Sequence, residues 1–199
     1  MAPLKLAAAI IALLLASPAR ADPVAQWQPH VAEASTRFGV PSDWIERVIR
    51  AESGGRTMLG GRPITSHAGA MGLMQLMPGT WADMRARLRL GSNPHDPRDN
   101  ILAGTAYLRK MYDRFGYPGM FAAYNAGPGR YAAYLAGHSR LPGETVAYLQ
   151  VLSRRAKAPV PARGTRHIVP IDVPKADANR SSHDGPSPDS IFFIRRPER

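Results

Sequence analysis

The 199-residue chain has no cysteine, so it has no disulfides, thiol nucleophiles or cysteine-based metal sites. A fold without disulfides must hold by packing, and about 130 residues suffice for a core. The six histidines, at positions 30, 67, 95, 138, 167 and 183, are scattered and form no HExxH or other close ligand pair. No metal and no cofactor is expected. No alternating strand pattern of any length precedes the C-terminal tail, and there is no internal repeat. Between Ser53 and Ala82 there is no Asp or Glu at all.

What is present begins with an address. Lys5 supplies a basic n-region, and Leu6 to Ala16 form an apolar run too short to span a bilayer. Ala19-Arg20-Ala21 has the small-x-small form of a secretory cleavage site. Residues 1–21 are therefore expected to be a signal peptide, with an uncleaved N-terminal anchor as the other reading. Cleavage after Ala21 leaves 178 of the 199 residues, in keeping with one domain plus an appendage, and no transmembrane span is expected after it. Export in this form places the protein in the periplasm.

The formal charge is +11, and losing Lys5 and Arg20 with an acid-free leader lowers it to +9. Such a surplus favours an acidic partner. An exported protein seldom meets nucleic acid, so the expected partners are anionic envelope polymers or a membrane surface, the alternative being charge kept for solubility.

Residues 22–156 read as a helical domain. Gln26 to Phe38 predicts a first helix, ended by Gly39 and Pro41. Ser42 is the expected N-cap of a second helix running to Glu52. A glycine-rich connection from Ser53 to Ala70 is too long to be a simple turn. Thr80 is expected to cap a short helix to Leu90, with Trp81, Met84 and Leu88 on one face and Arg85, Arg87 and Arg89 in solvent. Asp96-Pro97-Arg98-Asp99 predicts a helix start, followed by a buried stripe of Ile101, Thr105, Leu108, Met111, Tyr112 and Phe115. Short helices around Gly119–Asn125 and Pro128–Leu135 follow, then a last one from about Gly143 to Arg155. From Lys157 to Arg199 the chain holds seven of its 19 prolines and little helical periodicity, the composition of a disordered, basic tail. Within it, Ile191-Phe192-Phe193-Ile194 is an apolar island, either a docking element or an unused sticky patch.

Glu52 is the candidate of most interest. It follows Val48 and Ile49 by four and three residues, and with Ile45 these put it on the apolar face of its helix. A carboxylate that loses hydration has its pKa raised, and a carboxyl that keeps its proton near neutrality can serve as a general acid. The alternative is a helix-end glutamate that reaches water, since Gly54-Gly55 follow at once.

Four segments carry a family resemblance: Glu52-Ser53-Gly54-Gly55; Gly72-Leu-Met-Gln-Leu-Met-Pro78; Ala123-Tyr-Asn-Ala-Gly-Pro-Gly129; and Glu144-Thr-Val-Ala-Tyr148. In this order and at these separations the chain resembles the soluble lytic transglycosylase domain, which cleaves peptidoglycan glycan strands. The stretch Asn93–Gly104 is similar too, and the resemblance covers roughly residues 26–156. It implies an all-α, lysozyme-like fold with a groove for amino sugars, and Glu52 as catalytic acid. Length, leader and tail also look like the small branch of the family that opens the wall for type IV secretion or conjugation machinery, with secretion components as partners of the tail.

Ordinary glycoside hydrolysis uses two carboxyl groups, and the acid-free run after Glu52 argues against a second one on the neighbouring loop. Asp99 or Glu144 could still fold in. The family mechanism needs one acid, because the sugar's own acetamide and C6 hydroxyl do the rest. A muramidase that lets water attack, and a non-catalytic glycan-binding scaffold, are the competing readings.

By the same resemblance, six further residues bind substrate. Ser66 matches the serine beside the acid, or else caps its loop, and the Leu59–Pro63 stretch makes that loop longer than the common pattern. Gln75 offers its amide to sugar groups, while Met74 reads more simply as core. Tyr124 and Asn125 precede the Gly127-Pro128-Gly129 turn; the first would bond near the scissile sugar, the second would bind glycan or brace the turn. Glu144 and Tyr148 lie one helical turn apart. Glu144 would read an amino sugar or stem peptide, or else stabilise its helix start, and Tyr148 would line the groove near Glu52.

Overall fold

A computed structural model describes residues 22–153. The expected leader, residues 1–21, and the expected tail, residues 157–199 with its Ile191–Ile194 island, lie outside the described residues. Among the described residues there are seven α-helices and one two-stranded hairpin: α1 (Gln28–Phe38), α2 (Ser42–Glu52), β1 (Met58–Leu59), β2 (Arg62–Pro63), α3 (Pro78–Leu88), α4 (Pro97–Phe115), α5 (Gly119–Ala126), α6 (Pro128–Leu135) and α7 (Gly143–Ser153). No helix among them is long and apolar enough to cross a membrane.

Helix α4 is the axis of the domain. Asp96 caps it by accepting from Asp99 N at 2.9 Å, as its sequence predicts. Its first half is buried on nearly every side, through Ile101, Leu102, Ala103, Thr105, Ala106 and Leu108. Helices α1, α3 and α5 pack against it, and α5 in turn carries α6 and α7. Further along α4, Met111 is buried but Tyr112 and Phe115 are only partly so.

Three helix starts differ from the sequence reading: α1 begins at Gln28 rather than Gln26, after a 3-10 turn over Ala25–Trp27. Ser42 is the first helical residue rather than the cap; Pro41 takes the cap position and its carbonyl accepts from Trp44 N at 2.9 Å. Helix α3 begins at Pro78, not Thr80, and ends at Leu88, where Arg89 turns left-handed. At α3 the proline opens the first turn, because its fixed φ suits a helix start and its missing N–H costs nothing there, whereas Pro41 stands just outside α2 with extended ψ.

Helix α2 presents Trp44, Ile45, Val48 and Ile49 to the core, each at most 2% exposed. Burial of each such side chain contributes about 1.5–3 kcal/mol. Trp44 stacks on Tyr117 at 5.2 Å and meets Tyr112 and Phe121 obliquely, which fixes α2 against α4 and α5.

The long connection after Glu52 is a chain of small β contacts. Gly60 and Gly61, both at positive φ, form the two-residue turn between β1 and β2, as a turn of that length demands. The ladder continues through Ile64 N to Thr57 O at 2.9 Å and Gly72 N to Ile64 O at 3.1 Å. Strands of two residues are too short to show alternation, so only the excess length of Leu59–Pro63 hinted at them.

Candidate active site

Glu52 is the last residue of α2, on the same side as Ile45, Val48 and Ile49. The residue is half-buried, so the carboxyl is crowded by protein yet not sealed from a ligand. Burial raises its pKa from 4.5 to about 7, since the charged form loses hydration. Tyr148 Oη donates to Glu52 Oε1 at 2.8 Å and works in the opposite direction, less strongly. Among the described residues no other carboxylate contributes to the shift. Asp99 instead accepts from Gly91 N at 2.7 Å at the start of α4.

The turn after Glu52 is tied down rather than loose. Ser53 is fully buried; its hydroxyl donates to Ile49 O at 3.1 Å and accepts from Gly55 N at 3.2 Å. Gly54 and Gly55 both sit at positive φ. Gly54-Gly55 therefore do not leave the turn loose, while Glu52 itself stays partly exposed.

Two tyrosines gather beside the acid. Tyr148, on α7, is 3% exposed, and Tyr124, on α5, is 8% exposed. Burial first, and the nearby Glu52 charge second, hold both phenol pKa values well above their ordinary range. Tyr124 Oη donates to Met74 O at 2.8 Å, and Tyr107 packs on its ring at 5.3 Å.

That carbonyl belongs to the tight loop 71–76. Met71 and Leu76 exchange two backbone hydrogen bonds, at 2.9 and 3.0 Å, and Gln75 at the loop's end takes φ 46°. A non-glycine residue in this region is strained. Gln75 offsets part of the strain locally, with its Nε2 donating to Gly72 O at 2.8 Å. Met74 is fully buried, while Met77 is exposed.

Asn100 holds this loop, a role the sequence reading missed. It is wholly buried on α4, accepts from Met74 N at 2.8 Å, and donates to Met71 O at 3.0 Å and Pro94 O at 2.8 Å. Gly72 lies against it so closely that a Cβ would fall 2.3 Å from Asn100 Nδ2. At Gly104 a Cβ would fall 2.5 Å from Met74 Sδ. The available signal was an asparagine one residue before a buried stripe and four before a helical glycine.

The remaining candidates divide. Ser66 Oγ accepts from Ala70 N at 2.9 Å, closing its own loop, and does not bond Glu52. Asn125 Oδ1 accepts from the buried Thr145 hydroxyl at 2.8 Å, tying α5 to α7. Glu144 is half-buried in the first turn of α7, one turn before Tyr148. The structure thus brings together Glu52, Tyr148 and Tyr124, joins Gln75 to them through the Met74 carbonyl, and leaves Ser66 in its loop. Among the described residues no group of three His, Cys, Asp or Glu stands close enough to hold a metal ion.

The family model described as Transglycosylase SLT domain matches residues 29–145. A transglycosylase of Enterobacteria phage PRD1 is 36% identical over 91 residues, which is 46% of this chain and 31% of that protein. The soluble lytic murein transglycosylase of Escherichia coli K12 is 39% identical over 98 residues, 46% of this chain and 14% of that one. The chain thus spans less than a third of the length of these relatives.

Among solved structures, an inactive glutamate-to-glutamine mutant of the Pseudomonas aeruginosa lytic transglycosylase Slt aligns with TM-score 0.55 and 30% identity, over 63% of this chain and 22% of that one. The 70 kDa soluble lytic transglycosylase of Escherichia coli aligns with TM-score 0.54 and 29% identity, over the same shares. With these neighbours, the described residues have the expected all-α, lysozyme-like fold, with one small hairpin added.

Proposed function

The chain belongs to the transglycosylase SLT domain family, and from that premise we propose that it is a lytic transglycosylase of peptidoglycan. Glu52 protonates the oxygen leaving C1 of N-acetylmuramic acid, while that sugar's acetamide stabilises the developing cation. The ionised Glu52 then takes the proton of the C6 hydroxyl, and O6 bonds to C1. The product is a 1,6-anhydro sugar, and no water is consumed. An internal nucleophile held close replaces a bimolecular attack.

One observation carries this reading: the Glu52 carboxyl is buried at the end of α2, which raises its pKa to about 7, and among the described residues no second carboxylate contributes to that shift. Retaining and inverting hydrolysis both place a carboxylate pair across the bond, and a lone acid suits the internal route. Tyr148 orients Glu52, and Tyr124 lies near the scissile sugar. Gln75, Asn125 and Glu144 contact glycan or stem peptide, with Ser66 shaping the loop at the edge of the site. The basic excess and the leader-like residues 1–21 support action on the periplasmic wall, and the extra length after α7 supports local wall opening for a secretion or conjugation apparatus whose components bind the tail.

The test is a digest of purified peptidoglycan with residues 22–199, and with Glu52→Gln, read by mass spectrometry. Anhydromuramyl products from the wild type alone are expected. Reducing-end products would make it a muramidase, and wall binding without products a scaffold.

A further inference from the structure

Six residues, Asp22–Trp27, precede the stretch that matches the family and lie across the turn that carries Glu52. The Asp22 carboxylate accepts two bonds from Arg50, at 2.6 and 2.9 Å, and one from Val24 N at 3.0 Å. Val24 is 1% exposed in the core. The Pro23 carbonyl presses on Gly55, where a Cβ would fall 2.7 Å from its oxygen. The indole N–H of Trp27 donates to Gly55 O at 2.9 Å. Arg50 lies two residues before Glu52 and Gly55 three after it, so the segment holds the chain on both sides of the acid.

Such support answers a weakness of the site. The last turn of a helix lacks partners for its carbonyls and frays first, and Glu52 is the final residue of α2. Catalysis tolerates displacement of a reacting group poorly, about 100-fold in rate for about 1 Å. We infer that Asp22–Trp27 is a strap that positions Glu52, with Asp22 and Trp27 as positioning residues acting through Arg50 and Gly55. The inference rests on the proposed role of Glu52.

The test compares the chain 22–199 with Trp27→Phe, which keeps an aromatic ring and loses the N–H, and with Asp22→Asn, which keeps the shape of an exposed pair and loses its charge. Two quantities are read: hydrogen exchange at the Ser53, Gly54 and Gly55 amides, and kcat and KM on a soluble peptidoglycan fragment. Exchange about 5-fold faster is expected, with kcat about 3- to 10-fold lower at unchanged KM. Unchanged exchange in both variants would overturn the strap. Faster exchange with unchanged kcat would overturn its positioning role. Activity surviving in Glu52→Gln would instead remove the proposed function, while the exchange rates still report on the strap.

Discussion

The end of α2 at Glu52 and the 71–76 loop at Gln75 have surroundings that follow opposite rules. Around Glu52 burial strips the carboxyl of hydration, and among the described residues it has one hydrogen bond, from Tyr148. Around Gln75 nearly every polar group finds a partner: Asn100 serves three backbone groups, Tyr124 a fourth, and Gln75 bonds Gly72. Proton transfer needs a group whose charge is held in check, and that calls for few partners. Shape recognition needs a loop that cannot relax, and that calls for many. The two sides meet at Tyr124, which bonds the loop and feels the Glu52 charge.

The largest expected break in this contrast is at Glu52 itself. Glu52→Gln is expected to lower turnover of peptidoglycan about 10²- to 10⁴-fold with unchanged circular dichroism. On the other side, Asn100→Ala is expected to cost stability rather than chemistry first. It leaves Met74 N and Pro94 O without their partner and takes from Met71 O one of its two bonds, a loss of about 3–5 kcal/mol in urea unfolding.

The burial of Glu52 also has a stability consequence with a definite sign. Its folded pKa, about 7, lies above its ordinary 4.5, so the folded state binds more protons than the unfolded between those values. Stability from this group is full below pH 4.5 and falls as pH rises to about 7. Glu52→Gln removes that dependence and is expected to gain up to about 3 kcal/mol over wild type at pH 8, but little at pH 4. Thermal unfolding at the two pH values checks it.

Tyr148→Phe sharpens the same point on a smaller scale. The phenol hydrogen bond lowers the Glu52 pKa, so its loss is expected to move the alkaline limb of the pH–rate profile upward. The smallest effect is expected at the hairpin, whose Met58 and Leu59 are each 50% exposed. Shortening the chain across Gly60-Gly61 should change stability by no more than about 0.5 kcal/mol.

The sequence made the Glu52 side more legible than the other. Helical periodicity in Ile45, Val48 and Ile49 places the acid on a buried face without any structure, and α6 falls at the predicted Pro128–Leu135. Tyr124 and Tyr148 came by resemblance, and the structure sets both beside Glu52. The loop side depends on contacts 26 and 50 residues apart in sequence, Met74 with Asn100 and Met74 with Tyr124, and no local pattern records those. The start of α3 at Pro78 departs from the sequence reading because proline's preset φ outweighs the hydroxyl cap offered by Thr80. Ser66 was open between two roles, and its hydroxyl closes its own loop.

Glu52 holds its proton to neutrality because burial strips water from its charged form. A carbon-13 NMR titration of the Glu52 side-chain carboxyl in residues 22–199, assigned by its loss in Glu52→Gln, tests this directly. A midpoint at about 7 is predicted; a midpoint near 4.5 would contradict the account.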